Sequence, residues 1–379
     1  MGGGEGEGER GILQVKRIVV KVGSNIVADE KEGLDTRRIT AIASDIRDAQ
    51  DMGYEVVLVS SGAVAAGMRK LGLKEKPKDI QLKQAAAAVG QSSLMWAYEK
   101  GFGEFGKKVA QVLLTRDDFT DRKRYINSKN TLSTLLSYGI IPIINENDTV
   151  ATDEIKFGDN DNLASLVAGL VDAERLIILS DVEGLFSADP KKSHKSVLIK
   201  TVDEITAEIE AMAGTAGSAV GTGGMYSKIL AAKRTVNNGI TVNIISGKKN
   251  GLMVSLLKGN HHGTEFKPVR ERLSARKSWI VYGSRAKGSL HIDEGAVKAL
   301  LHGGKSLLPS GITAVTGVFE VGDAVYCVDS DKKKLAKGIT NYSSTEIEKI
   351  KGRKTADVEK ALGYRYSDEV IHRDNLVVL

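Results

Sequence analysis

The sequence predicts an α/β fold, an αβα sandwich around a mostly parallel sheet, followed by a small mixed β-barrel domain. Three observations carry this. Short β-branched runs alternate with amphipathic segments from Arg17 onward. The runs are apolar throughout instead of alternating apolar with polar, as strands covered on both faces are. Glycine-rich and polar clusters, "GSN", "SSGA", "NEND" and "SDVEG", fall at the carboxyl ends of those runs, where parallel sheets collect ligands. A chain of 379 residues exceeds one typical domain, so two are expected.

The elements follow in order. "MGGGEGEGERG" has no apolar core, so residues 1–15 read as a disordered tail and not a targeting segment. "RIVVKVGS" is a buried strand closed by Gly23. "LDTRRITAIASDIRDAQDMG" sets Ile39, Ile42, Ala43, Ile46 and Ala49 on one helical face and stops at Gly53; "YEVVLVSSG" is the next strand. Further strands are expected at "KKVAQVLLT", "GIIPIINEN", "RLIILSD" and "ITVNIISG", with helices at "DIQLKQAAAAVGQSSLMWAYEK" and "DNLASLVAGLV". The first domain thus spans 16–265. Residues 266–278 lack periodicity and carry several charges, which marks a linker. From 279 to 379 the texture changes to short strands, "SWIVYG", "GSLHID", "TAVTGVFE", "DAVYCVD" and "KLAKGIT", with one helical insert, "EGAVKALLHG".

Composition narrows the function classes. No run of about 18 apolar residues is present, so no membrane span is expected. A single cysteine removes intramolecular disulfides and thiolate metal clusters, which fits a cytoplasmic setting; Cys327 lies in a strand-like run and reads as a buried small hydrophobe. The net charge of +6 concentrates beyond Lys267, where 19 basic residues face 14 acidic ones, a moderate bias toward an anionic partner such as RNA. Six scattered histidines and no H-E-x-x-H pattern argue against a transition-metal site.

Four motifs carry candidate chemistry. Lys21, at the polar end of an apolar strand, is a cation for phosphate, with the amides of Gly23 and Ser24 as further donors. "SSGAVAAG" joins a strand to a helix in small residues, so that an anion could approach the amides near Ser61 and Gly62. "INENDTVATDEIKFGDNDNLA" crowds Asn145, Glu146, Asn147, Asp148, Asp159, Asn160, Asp161 and Asn162 together; it offers acid for an ammonium group and amides for carboxylates, although Asp159–Asn162 could also cap a helix. "GTGGMYSK" is a glycine-rich loop with a lysine that fails the P-loop spacing, since three residues separate Gly224 from Lys228.

Taken together, "VVKVGS", "SSGAVAAG", "INENDTVAT", "GDNDNLAS", "LSDVEGLFSADP" and "GTGGMYSK" resemble the amino acid kinase family over nearly the whole chain from Arg17, and "GKSLLPSGITAVTGVFEVGDAV" resembles a PUA domain. The resemblance implies transfer of the ATP γ-phosphoryl group to the side-chain carboxylate of L-glutamate, the first step from glutamate to proline. It implies Lys21, Lys228 and Asp161 as catalytic residues, Asp161 organising the two lysines. It gives Lys21, Gly23, Ser24, Ser180, Asp181 and Thr222, Gly223, Gly224, Met225, Tyr226, Ser227 and Lys228 to ATP, and Ser61, Gly62, Asp148 and Asn160 to glutamate. Mg²⁺ would enter with ATP, without a named protein ligand. Proline as feedback inhibitor, a homo-oligomer (dimer or tetramer) and RNA contact through the PUA domain are further implications.

Overall fold

The computed structural model describes residues 16–28, 33–75, 77, 79–150, 159–188, 195–214, 224–269, 277 and 279–379. The expected tail, most of the linker, and Thr222 and Gly223 of the glycine loop lie outside the described residues.

The first unit is built on an eight-stranded sheet in the order β3-β4-β2-β1-β5-β7-β8-β6. Its strands are β1 (Lys16–Val22), β2 (Tyr54–Ser60), β3 (Val109–Leu114), β4 (Ile141–Glu146), β5 (Arg175–Ser180), β6 (Thr201–Val202), β7 (Thr241–Ser246) and β8 (Thr264–Phe266). All ladders are parallel except β7 with β8, so the sheet is mostly parallel, as the apolar runs predict. The two short strands β6 and β8 have no counterpart in the sequence reading.

Side-chain alternation along β1 divides the core. Ile18, Val20 and Val22 pack with α2 (Thr36–Asp51) and α4 (Ile80–Gly103), while Val19 packs on the opposite face with α6 (Arg122–Ser137), α7 (Asn160–Leu170) and α9 (Met225–Val236). With a period of two, Lys21 shares the face of Val19 and therefore meets α7 and α9. Helix starts are capped locally: Asp35 accepts from Arg38 N, Asp79 from Leu82 N and Asp159 from Asn162 N, at 2.9, 2.7 and 2.9 Å.

The helix after β2, α3 (Ala63–Lys70), lies backbone to backbone against α4. A Cβ at Gly67 would run into Ala86 O, and one at Gly90 into Ala63 O, so both positions demand glycine.

The second unit is a five-stranded mixed sheet ordered β10-β9-β11-β12-β13. It comprises β9 (Ala286–Ile292), β10 (Ile312–Gly317), β11 (Ala324–Val328), β12 (Lys334–Ile339) and β13 (Leu376–Val378), with β9 and β11 parallel and the other ladders antiparallel. The insert α11 (Glu294–Leu301) is helical as expected. Cys327 is fully buried in this unit's core, and burial pushes its thiol up to about 12.

One expected strand is instead helical. "SWIVYG" forms a π-helical turn over Trp279–Gly283, closed by Ser284 N donating to Trp279 O at 2.9 Å. Tertiary contacts override the β propensity here. Trp279 is buried against Tyr125 and donates from its indole to Phe119 O at 3.1 Å, while Lys337 of β12 donates to the carbonyls of Val281 and Ser284 at 3.0 and 2.5 Å. The turn therefore joins the two units.

Candidate active site

At the carboxyl ends of β1, β2, β4 and β5 lies a cavity of about 360 Å³. It is lined by Lys21 of β1 with Gly23 and Ser24 after it, by Ser61 and Gly62 after β2, by Asp148 after β4, by Asp159 and Asn160 at the start of α7, by Ser180 at the end of β5 with Asp181 after it, and by Lys228 of α9. The sequence-predicted residues from six distant segments thus converge on one space.

Its floor is a buried charge triad. Asp161, with no exposed surface, sits between two lysines that are themselves buried: Lys21 Nζ lies 2.5 Å from Oδ1 and Lys228 Nζ 3.2 Å from Oδ2. Ser227 also donates to Oδ2, at 2.9 Å. Burial alone would push the Asp161 carboxyl up, but the two ammonium groups and the donated hydrogen bonds outweigh it and hold the carboxyl below its ordinary 3.8. Two lysines facing one carboxylate leave a net positive charge directed at the cavity.

Lys21 reaches this position from a central strand, since β1 is paired on one side with β2 and on the other with β5. An edge position facing solvent is thereby removed. Lys228 lies one turn into α9, whose N-cap is Gly224; Met225, Tyr226 and Ser227 form that first turn. Asp161 lies in the first turn of α7 and Lys228 just after that of α9, where the helix dipoles favour a nearby anion.

The opposite wall is a network of amides whose polarity is fixed by one backbone group. Glu146 N–H can only donate, and it donates to Asn145 Oδ1 at 2.9 Å. Asn145 Nδ2 consequently faces away and donates to Gln91 Oε1 at 2.9 Å. Asn160 must present its NH₂ to Asn145 Oδ1, and the same Nδ2 lies 2.9 Å from Ser60 O and from Ser61 Oγ. Two consequences follow: the Asn160 carbonyl oxygen points elsewhere as an acceptor, and the Ser61 hydroxyl, accepting from Asn160, keeps its hydrogen for another partner. Gly62 holds φ +118°, a conformation that favours glycine, at the turn that starts α3.

Asp181 accepts from Asn25 Nδ2 at 3.4 Å. Burial would raise its carboxyl, yet that bond and the nearby charges of Lys228 and Lys248 leave it lowered. Asp159 serves as the α7 cap as well as lining the cavity. Sequence reading did not single out Asn25, Lys83 or Gln91. Asn25 stood inside the quoted "GSN" cluster, whereas nothing in the local pattern marks Lys83 or Gln91.

The arrangement suits two anionic groups meeting at one cationic centre. Among the described residues no three His, Cys, Asp or Glu side chains group as a metal centre.

Comparison with known proteins identifies the family. The model of the amino acid kinase family matches residues 16–246, and that of the PUA domain matches residues 288–362. The chain is 52% identical over 363 residues to the glutamate 5-kinase of Thermoanaerobacter sp. (strain X514), covering 96% of this chain and 98% of that one. It is 49% identical over 366 residues to the glutamate 5-kinase of Pelobacter propionicus, covering 97% and 98%. Among solved structures, carbamate kinase from Giardia lamblia bound to AMP-PNP superposes with a TM-score of 0.51 at 20% identity, over 67% of this chain and 99% of that one, a likeness of fold. On the family match and on half of its residues shared end to end with such relatives, the chain belongs to the amino acid kinase family and, within it, to the glutamate 5-kinases.

Proposed function

We propose that the protein transfers the γ-phosphoryl group of ATP to the side-chain carboxylate of L-glutamate, giving L-glutamyl 5-phosphate and ADP, the step that opens proline synthesis from glutamate. The observation that carries the reading is the Lys21–Asp161–Lys228 triad at the floor of a cavity with an amide-lined wall on one side and the Ser180–Asp181 end of β5 on the other. A carboxylate oxygen bonds to the γ-phosphorus, the bond from that phosphorus to the β,γ-bridging oxygen breaks, and its electron pair leaves on ADP. The nucleophile is ionised at neutral pH, so no proton moves and no general base is required. The barrier lies in bringing two anions into line and compensating charge on the phosphoryl oxygens, which is work for fixed cations and amides.

In this reading residues 16–265 are the catalytic domain, 266–278 the linker, and 279–379 the PUA domain with its C-terminal extension. Lys21 and Lys228 flank the transferring group, and Asp161 pairs with both and aims them. Gly23, Ser24, Ser180, Asp181 and the loop from Thr222 to Lys228 serve ATP; Ser61, Gly62, Asp148 and Asn160 serve glutamate. Mg²⁺ is the proposed ion, held mainly by phosphate and water, with Asp159 and Asp181 among the carboxylates lining the cavity that could add a hard oxygen donor; it would neutralise phosphate charge. The test is ATP turnover with glutamate, aspartate, N-acetylglutamate and UMP, trapping acyl phosphate with hydroxylamine. Turnover confined to another acceptor overturns the assignment.

The remaining expectations follow from the resemblance. Proline as inhibitor is checked by glutamate titration with and without proline, and a homo-oligomer by solution mass. No helix among the described residues is long and apolar enough to cross a membrane; a cytoplasmic location is the accompanying proposal, checked by fractionation. RNA contact through the second unit draws support from its surplus of basic residues; binding to structured RNA that weakens steeply with salt is expected, and no binding at low salt removes the idea.

A further inference from the structure

Three lysines line the cavity among the described residues: Lys21, Lys83 and Lys228. Two are committed to Asp161. Lys83 is different. It is half-buried on α4, and among the described residues its ammonium group makes no hydrogen bond or ion pair, its backbone N–H alone being bonded, to Asp79 O. An ammonium group drawn partly out of water without a partner is unfavourable, and facing a cavity it invites an anion.

Its placement is built into the packing. Because Gly67 and Gly90 let the backbones of α3 and α4 touch, a side chain rooted on α4 can join the cavity wall formed by Val64, Ala65 and Met68 of α3. Any side chain at either glycine would separate the helices and withdraw Lys83.

The proposed acceptor carries three charges: the reacting carboxylate, an α-carboxylate and an α-ammonium. The reacting carboxylate belongs at the Lys21–Lys228 end. Glu146 and Asp148 line the cavity and give the ammonium negative surroundings. The α-carboxylate needs a cation, and the triad lysines are already shared between Asp161 and the phosphoryl group. We propose that Lys83 binds the α-carboxylate of the acceptor, and so makes the site select an α-amino dicarboxylate over an ω-amino acid that lacks that group. This rests on glutamate being the acceptor.

The experiment compares full-length wild type with Lys83→Met and Lys83→Arg, using L-glutamate and 4-aminobutyrate, which keeps the reacting carboxylate and the amine but lacks the α-carboxylate. In Lys83→Met the glutamate KM rises by at least about tenfold, the loss expected for one charge-assisted contact. The ATP KM stays within about twofold, which also reports an intact fold, and preference for glutamate over 4-aminobutyrate falls by a similar factor. Lys83→Arg retains most of the preference. A glutamate KM unchanged in Lys83→Met, or equal losses on both acceptors, overturns the proposal. Failure of the underlying reading looks different: wild type then forms no hydroxylamine-trapped product from glutamate at all.

Discussion

Lys21 Nζ stands 2.5 Å from Asp161 Oδ1, with the lysine side chain 5% exposed and the aspartate not at all, while Lys228 holds the other oxygen of the same carboxylate. Removing the carboxylate charge leaves two buried ammonium groups facing each other. Asp161→Asn is expected to cost about 3–5 kcal/mol of stability, the scale for breaking a buried ion pair from one side. Turnover should fall at least about 10²-fold, because the lysines lose their aim. The pH signature has a definite sign: the folded carboxyl lies below 3.8, so its contribution is present above that value and is lost as pH falls through the lowered one. Urea unfolding of both proteins at pH 7 and pH 3 checks this; the gap between them should narrow in acid.

Lys228→Ala tests the second cation. Lys228 is one turn into α9, so the substitution keeps a good helix former and leaves Lys21 paired with Asp161. Loss of one donor that acts on the transferring group should lower kcat at least about 10²-fold. Steady-state kinetics with saturating glutamate and ATP decide the matter, and unchanged turnover would remove Lys228 from the chemistry.

Gln91 should matter without touching either substrate. Its Oε1 accepts from Asn145 Nδ2 and so completes the chain of amides that begins at Glu146 N–H and ends at Asn160 and Ser61. In Gln91→Leu the Asn145 amide loses its acceptor, and Asn160 loses a firm neighbour. The glutamate KM is expected to rise by roughly tenfold, as for one lost hydrogen bond in a binding wall, with the ATP KM unchanged. Gln91→Glu keeps an acceptor oxygen and should restore most of the affinity. Equal effects of both variants on both KM values would point to misfolding instead.

Much of this was readable in the chain. The apolar runs around Val19, Val57, Ile144 and Ile178 announce strands covered on both faces, and the clusters that follow them supply most of the cavity. Lys21 is legible because a lysine inside such a run needs a partner. Its partners Asp161 and Lys228 were legible only through the family resemblance and not from local pattern, since helix packing brings them to it. Gln91 and Lys83 were hidden for a related reason: the alanine-rich stretch of α4 has no clear amphipathic face, and what sets its orientation is the glycine contact with α3. The Trp279 turn escaped because its conformation depends on a carbonyl at Phe119, far away in sequence. The capping box of Ser343 and Glu346, which starts the helix Ser344–Ile350, was a local signal that the strand-oriented reading of this region passed over.

Asp45 offers a stability test far from the triad, with the opposite sign. Its carboxyl on α2 receives Gly251 N–H on both oxygens at 3.1 Å, tying that helix to the turn before the helix Leu252–Leu257. Burial, with help from Asp48, raises the carboxyl from 3.8 to about 6, against the opposing pull of Gly251 N–H and Arg38. The folded state therefore holds this proton more tightly than the unfolded chain does. Stability from the group is fully present below 3.8 and is lost as pH rises through about 6. Asp45→Asn keeps an oxygen for Gly251 N–H and carries no charge. Compared at each pH by urea unfolding, the two proteins should match near pH 4, and the asparagine variant should be the more stable one at pH 8. Because both retain the triad, the acid sensitivity of Asp161 cancels in the difference. A variant less stable than wild type at pH 8 would mean that the ionised Asp45 is held favourably by Arg38 and Gly251, and that burial is not the dominant influence on it.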